Sequence, residues 1–138
     1  MQEMSNVELI RKARSVVRTK KVGEYTIGNV GSALVTEGGN LYLGVCIDTG
    51  SSLGFCAEHS AIAAMVTAGE YRIRKIVAVW LDEHNNTYIL SPCGRCREFI
   101  RQIDESNLHT EVILDVDKTI ELAELLPYHD WYHKIQGV

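Results

Sequence analysis

Apolar residues recur along this chain at several spacings, and each spacing predicts a different element. Near the N-terminus Val7, Ile10, Ala13, Val16 and Val17 fall at helical intervals, which predicts an amphipathic helix over residues 5–20. Ser5 and Glu8 form a capping box at its start. YTIGNVG is a glycine-punctuated approach to a strand, and SALVT and LYLGVCID flank EGGN, the pattern of a β-hairpin. TGSSLGF is a loop by composition. Residues 56–68 are apolar on nearly every side of a helix, and Gly69 stands where a C-cap glycine belongs. KIVAVWL is a continuous apolar run, the pattern of a central strand buried on both faces. DEHNN turns the chain into a short strand, TYIL. A helix (SPCGRCREFIRQI), a strand (EVILDV), a short helix (TIELAELL) stopped by Pro127 and an irregular aromatic tail follow. The order predicts one α/β domain over residues 1–138, with three layers and a sheet of about five strands.

Bulk composition narrows the classes. A chain of 138 residues, 46% apolar and 23% charged, suits one globular core. Net charge of -4 argues against a polynucleotide partner, which needs a basic face. The basic run RKARSVVRTKK reads as the solvated face of the first helix, and His84, His109, His129 and His133 as surface or tail residues. The N-terminal stretch is charged throughout, so no signal peptide is expected. No apolar run reaches the roughly 18 residues of a membrane-spanning helix, so no membrane association is expected. The expected location is cytoplasmic. Cys46, Cys56, Cys93 and Cys96 are then expected as reduced thiols, suited to metal binding or catalysis rather than to disulfides.

Cys93 and Cys96 are three residues apart, so both thiols lie on one face of a helix's first turn. Pro92 precedes that turn, where a missing N–H costs nothing. Free N–H groups and the dipole at a helix N-terminus stabilise thiolates, and Cys56 stands at the start of its own helix. Two such helix starts meeting across a sheet would gather three thiolates. Three protein ligands and one open position is the layout of catalytic zinc, with a water in the open position made nucleophilic near neutral pH. Glu58, two residues past Cys56, projects away from the ligand direction; there it can take a proton from that water and pass it to a leaving amine. A non-ligand glutamate followed later by Pro-Cys-x-x-Cys is the pattern of zinc deaminases. Other assignments fit the same residues. Cys93 and Cys96 alone suit a redox pair or half of a structural zinc site, and Cys46 as fourth thiolate would close a non-catalytic structural zinc module. Cys46 also reads as a small core hydrophobe, Glu58 as a helix-dipole residue, Asp48 as a turn former and Trp131 as packing.

CAEHSAI and SPCGRCREF resemble the two motifs of the cytidine deaminase family, and ILSPCGRCR is especially similar to the blasticidin S deaminase branch. VGSALVTEGGNLYLGV resembles the family's first hairpin, and ELLP followed by an aromatic residue its C-terminal end. The resemblance runs from about residue 25 to 131. It implies a cytidine deaminase-like fold with a mixed sheet, zinc on Cys56, Cys93 and Cys96, and Glu58 as proton shuttle. The implied reaction is hydrolysis of a cytosine nucleoside to its uracil form with release of ammonia; cytidine or deoxycytidine is the leading substrate and blasticidin S the rival. It also implies a homotetramer with active sites near subunit boundaries, which the aromatic tail can help cover. Substrate contacts are expected at Gly28, Asn29, Cys46, Asp48, Ala57 and Trp131. The departures concern the sugar and the base. The family's Asn-x-Glu, which holds the ribose, is replaced by Cys46 and Asp48, and a thiol is a weak hydrogen-bond partner. The stacking phenylalanine falls at Gly28, with Asn29 beside it, so Tyr25 or Trp131 is expected to cover the base. Where many members carry Arg after the glutamate, this chain has His59. Three thiolates around zinc leave excess negative charge. Arg95 is the expected compensating cation, helped by Arg97, by the two helix dipoles and by a hydrogen bond from His59 to a thiolate.

Overall fold

The Ser5 hydroxyl accepts from the Glu8 amide at 3.2 Å while the Glu8 carboxylate accepts from the Ser5 amide at 3.2 Å. This capping box starts α1, Asn6–Ser15, in a computed structural model that describes residues 3–138. The helix ends at Ser15 rather than near residue 20, although Val16 and Val17 continue its apolar spacing. The Arg18 amide donates to the Gly28 carbonyl at 2.9 Å, which draws the chain into a small hairpin of β1 (Lys20–Val22) and β2 (Tyr25–Ile27). Both strands are three residues long and largely exposed, so no apolar alternation announces them.

The main sheet is built around β5 (Ile73–Leu81). One edge of β5 pairs antiparallel with β3 (Val30–Thr36), which in turn pairs with β4 (Leu41–Val45) through the expected hairpin. Its other edge is divided. Lys75 and Ile76 run parallel to β7 (Glu111–Asp115), whereas Ala78 to Leu81 pair antiparallel with β6 (Thr87–Leu90). A further strand, β8 (Lys118–Glu121), pairs with β7. The sheet is therefore mixed and has six strands, where about five were expected. The extra one is β8. TIELAELL forms an edge strand through Glu121, and only α4 (Leu122–Leu125) is helical.

Helices cover both faces, giving the three layers. On one face α1 sets Leu9 and Ala13 against Ala33, Val77, Val79 and Ile113. On the other, Ala61, Ile62 and Met65 of α2 (Ala57–Thr67) and Ile100 of α3 (Gly94–Ile103) meet Leu34, Ile76 and Val112. Val77 and Val79 serve one core and Ile76 the other, as strand alternation requires.

The seating of α2 is tight. A Cβ on Gly44 would lie 2.3 Å from the Ala61 nitrogen and 2.5 Å from the Ser60 Cβ, so β4 passes directly against the helix backbone. The Ser60 hydroxyl ties the two together by donating to the Val45 carbonyl at 2.7 Å. Gly44→Ala forces β4 and α2 apart. The expected outcome is a loss of about 1–3 kcal/mol in urea unfolding, the cost of overpacking a filled site, with weaker metal retention because α2 begins at the site.

Candidate metal centre

Cys56 is the N-cap residue of α2, with φ -70° and ψ 159°, and Cys93 is the N-cap residue of α3, with φ -69° and ψ 168°. At such a position the backbone is extended and the side chain turns back over the first helical turn. The β5–β6 hairpin brings the start of α3 beside the start of α2, and the two sulfurs lie 3.5 Å apart. Cys96, buried in the first turn of α3, donates its amide to Cys93 Sγ at 3.4 Å. His59, one turn into α2, places Nδ1 3.5 Å from Cys96 Sγ. The ligand atoms of Cys56, His59 and Cys96 all lie within 4.8 Å of one another. The His59 ring is held flat against Phe99, with centroids 4.3 Å apart and planes 1° apart. Three sulfurs and an imidazole form a donor set that suits zinc.

Burial pushes the Cys56 thiol up to about 11, with Cys93 contributing, and raises the Cys96 thiol much further, with Glu58 adding to it. For Cys93 burial also acts upward, but the Cys96 amide and the two neighbouring thiols bring it below its ordinary value. Burial raises the Glu58 carboxyl, opposed by its own amide and by Cys96. Burial and then the Arg95 cation lower His59, so its ring is neutral near pH 7. A cluster that resists carrying charge on its own is stabilised by a cation placed between the sulfurs.

A cavity of about 450 Å³ opens onto this cluster. Cys56, Ala57, Glu58 and Cys93 line it together with Asn29, Cys46, Asp48 and Arg95, so most of the sequence-predicted residues are brought together. Gly28 is not on its wall. It is buried behind the wall with φ +80°, and a Cβ there would lie 2.4 Å from the Arg18 carbonyl oxygen. Trp131 is also outside the cavity of its own chain. Its indole N–H donates to Glu98 at 2.6 Å, and the Arg101 guanidinium lies 5.1 Å from its ring. Arg95 lines the cavity but donates to the Gly54 carbonyl at 3.2 Å, and among the described residues it makes no hydrogen bond to a thiol. Arg97 acts as a tie, donating to the carbonyls of Pro92 at 2.8 Å and Leu125 at 3.0 Å and so fixing the entry to α3. Cys46 stands apart from the other thiols, its Sγ donating to Asn29 Oδ1 at 3.1 Å, which removes the four-cysteine site. Phe55, rather than Tyr25, is the aromatic residue on the cavity wall. Its place directly before Cys56 was the available signal.

Residues 4–111 match the family described as the cytidine and deoxycytidylate deaminase zinc-binding region. The chain is 32% identical over 121 residues to a cytidine deaminase of Sporosarcina psychrophila, covering 81% of this chain and 85% of that one. Cytidine deaminase from Mycobacterium tuberculosis has the same fold, with a TM-score of 0.74 at 24% identity over 91% of this chain and 97% of that one. The Burkholderia pseudomallei cytidine deaminase gives 0.72 at 25% identity, over 91% and 98%. Converging thiols at two helix starts, a buried glutamate beside them and these likenesses agree: the chain belongs to the cytidine and deoxycytidylate deaminase zinc-binding family, and zinc is its cofactor.

Proposed function

We propose that this protein is a hydrolytic deaminase of a cytosine nucleoside. The observation that carries the reading is Glu58, a carboxyl only 5% exposed on the wall of the cavity beside Cys56 and Cys93. Cys56, Cys93 and Cys96 would hold the zinc, which when bound makes water nucleophilic at neutral pH. Hydrolysis forms a carbon–oxygen bond at the amino-bearing ring carbon and breaks its bond to nitrogen; the amino group leaves as ammonia and the ring becomes uracil. Glu58 takes a proton from the attacking water and gives it to the leaving nitrogen. Its raised affinity for protons favours the holding step between the two transfers. His59, neutral and clamped by Phe99, has Nδ1 within reach of Cys96 Sγ, where its Nδ1–H tautomer would donate to the thiolate and offset its charge. Ala57, Asn29, Cys46 and Asp48 line the space for substrate.

A second reading has one observation in its favour. His59 Nδ1 is near enough to Cys56 and Cys96 to serve as a fourth ligand, and a site with three cysteines and one histidine is a closed structural site. Against it stands the cavity, which reaches Cys56, Cys93 and Glu58 but not His59. A structural site needs no such opening.

The substrate panel is cytidine, deoxycytidine and blasticidin S, the last favoured by the likeness of ILSPCGRCR. Ammonia release from at least one of them is expected, and none from any would return the structural-site reading. Glu58→Gln is expected to keep zinc and fold while losing about 10²–10⁴-fold in kcat; a zinc-loaded variant with full activity would remove Glu58 from proton transfer.

Zinc loading carries a pH signature. Cys56 at about 11 and Cys96 higher are protonated at neutral pH without metal, yet ligate as thiolates. Loading therefore releases protons, and affinity rises with pH across the neutral range and on toward 11. Chelator competition between pH 6 and 8.5 should show that rise, and an affinity independent of pH would exclude these thiols as ligands.

We also propose a homotetramer whose pockets are completed at subunit boundaries. Support comes from the outer side of α2, where Ala63, Ala64 and Val66 are exposed, and from a tail in which Tyr128, Trp131 and Tyr132 are exposed. Sedimentation should give four subunits, and truncation after Leu126 should reduce both assembly and activity. A fully active monomer would refute shared pockets.

A further inference from the structure

Asn29 and Cys46 face each other where the β3–β4 hairpin continues beyond its last paired residues. The backbone around them is tied on every side: Cys46 N–H donates to the Val30 carbonyl at 3.0 Å, Gly28 N–H to the Cys46 carbonyl at 3.1 Å, and Leu81 N–H to the Asn29 carbonyl at 3.2 Å. Within this frame the Cys46 thiol donates to Asn29 Oδ1 at 3.1 Å. That bond uses the carbonyl end of the amide. Among the described residues the Nδ2 end has no hydrogen-bond partner, and Asn29 is half-buried on the cavity wall. The same residue borders the adjoining cleft floored by Trp80 and Leu81, which none of the three clustered thiols lines, so Asn29 stands at the rim away from them.

We propose that Asn29 is the sugar-side specificity residue of this cavity, donating from Nδ2 to a substrate hydroxyl that donates in turn to Asp48, with Cys46 as the positioning residue that turns the amide inward. The inference rests on the nucleoside reading given above. Its chemistry follows from what a hydroxyl can do: it accepts one hydrogen bond and donates another, so an amide N–H and a carboxylate together satisfy it. Asp48 and Glu58 share the cavity with Asn29. An amide carbonyl turned toward two carboxyl groups would be repelled, whereas an amide N–H is attracted. Asp48 supplies the carboxylate from the segment after β4, and Asn29 supplies the carboxamide from the residue before β3. Cys46 has become the support for that amide instead of a substrate contact.

The test is steady-state kinetics of the zinc-loaded protein on cytidine and its 2′-deoxy, 3′-deoxy and 2′,3′-dideoxy analogues. The wild type should discriminate roughly tenfold, mostly in KM, between nucleosides that have and lack one of the two hydroxyls. In Asn29→Ala that ratio should fall to about one, with the loss falling on the nucleosides that carry the hydroxyl and appearing mostly in KM. Asn29→Asp, nearly the same shape with the donor replaced by an acceptor, should lose the discrimination too and guards against misfolding of the alanine variant. Cys46→Ser keeps a donor to Oδ1 and should retain the ratio, and Cys46→Ala should reduce it. An equal loss on all four nucleosides in Asn29→Ala, or a ratio in Cys46→Ala identical to wild type, would overturn the inference while leaving deamination intact. No turnover of any of the four by the wild type would overturn the inference, and the nucleoside reading falls with it only when blasticidin S is not deaminated either.

Discussion

An N-cap residue stands half outside its helix, so its side chain folds back toward the first turn, where the backbone N–H groups have no helical partner. Cys56 and Cys93 both occupy that position. Everything at the site depends on the sheet delivering these two helix starts to one place. The length of β5 and the return through β6 decide where α3 begins, while Gly44 and Ser60 decide how deeply α2 sits. Given those placements, the sulfurs meet and Cys96 comes up beneath them. Glu58, two residues further along α2, has a position on the cavity wall from which it cannot move independently of the cysteine before it.

Charge at the centre is handled by neutral and backbone groups more than by cations. The two arginines of the second motif donate to carbonyl groups and a hydroxyl, Arg95 to Gly54 and Arg97 to Pro92, Leu125 and the Ser91 side chain, and so act as mechanical ties between loops. The groups in direct contact with sulfur are the Cys96 amide, which donates to Cys93 Sγ, and the neutral His59 ring, whose Nδ1 lies 3.5 Å from Cys96 Sγ. A stacked imidazole has little freedom to turn away, and Phe99 gives His59 that restraint.

The parts of the site that are local in sequence were legible without coordinates. Cysteine, glutamate and the Pro-Cys-x-x-Cys turn each sit within a single helix start, where spacing alone fixes which side chains share a face. The central strand and the long hairpin were legible for a similar reason, since continuous or paired apolar runs have few alternatives. What spacing could not show was partnership at a distance. The β1–β2 hairpin is short and exposed, and it exists because Arg18 bonds to Gly28. The apolar positions Ile120, Leu122 and Leu125 suit a strand or a helix equally, and pairing with β7 makes a strand of the segment up to Glu121, leaving Leu122 and Leu125 to the short helix. Trp131 offered no local sign that it would lie on Arg101 and Glu98 of its own chain. Nor could the thiol of Cys46 be matched to Asn29 before the hairpin's register was known.

The two motifs are also far apart along the chain, and that separation has a polymer consequence. Cys56 and Cys93 are separated by 37 positions, and the segment between them contains all of α2, β5 and β6. A metal bound to both ends closes that segment into a ring threaded through the middle of the sheet. Closing a flexible loop of this size costs an unfolded chain about 3 kcal/mol of entropy, so an ion that keeps the ring shut narrows the unfolded ensemble much as a cross-link does. With zinc held by both cysteines, the central strand would lie inside a metal-locked loop, and one ion would serve both the chemistry and the fold.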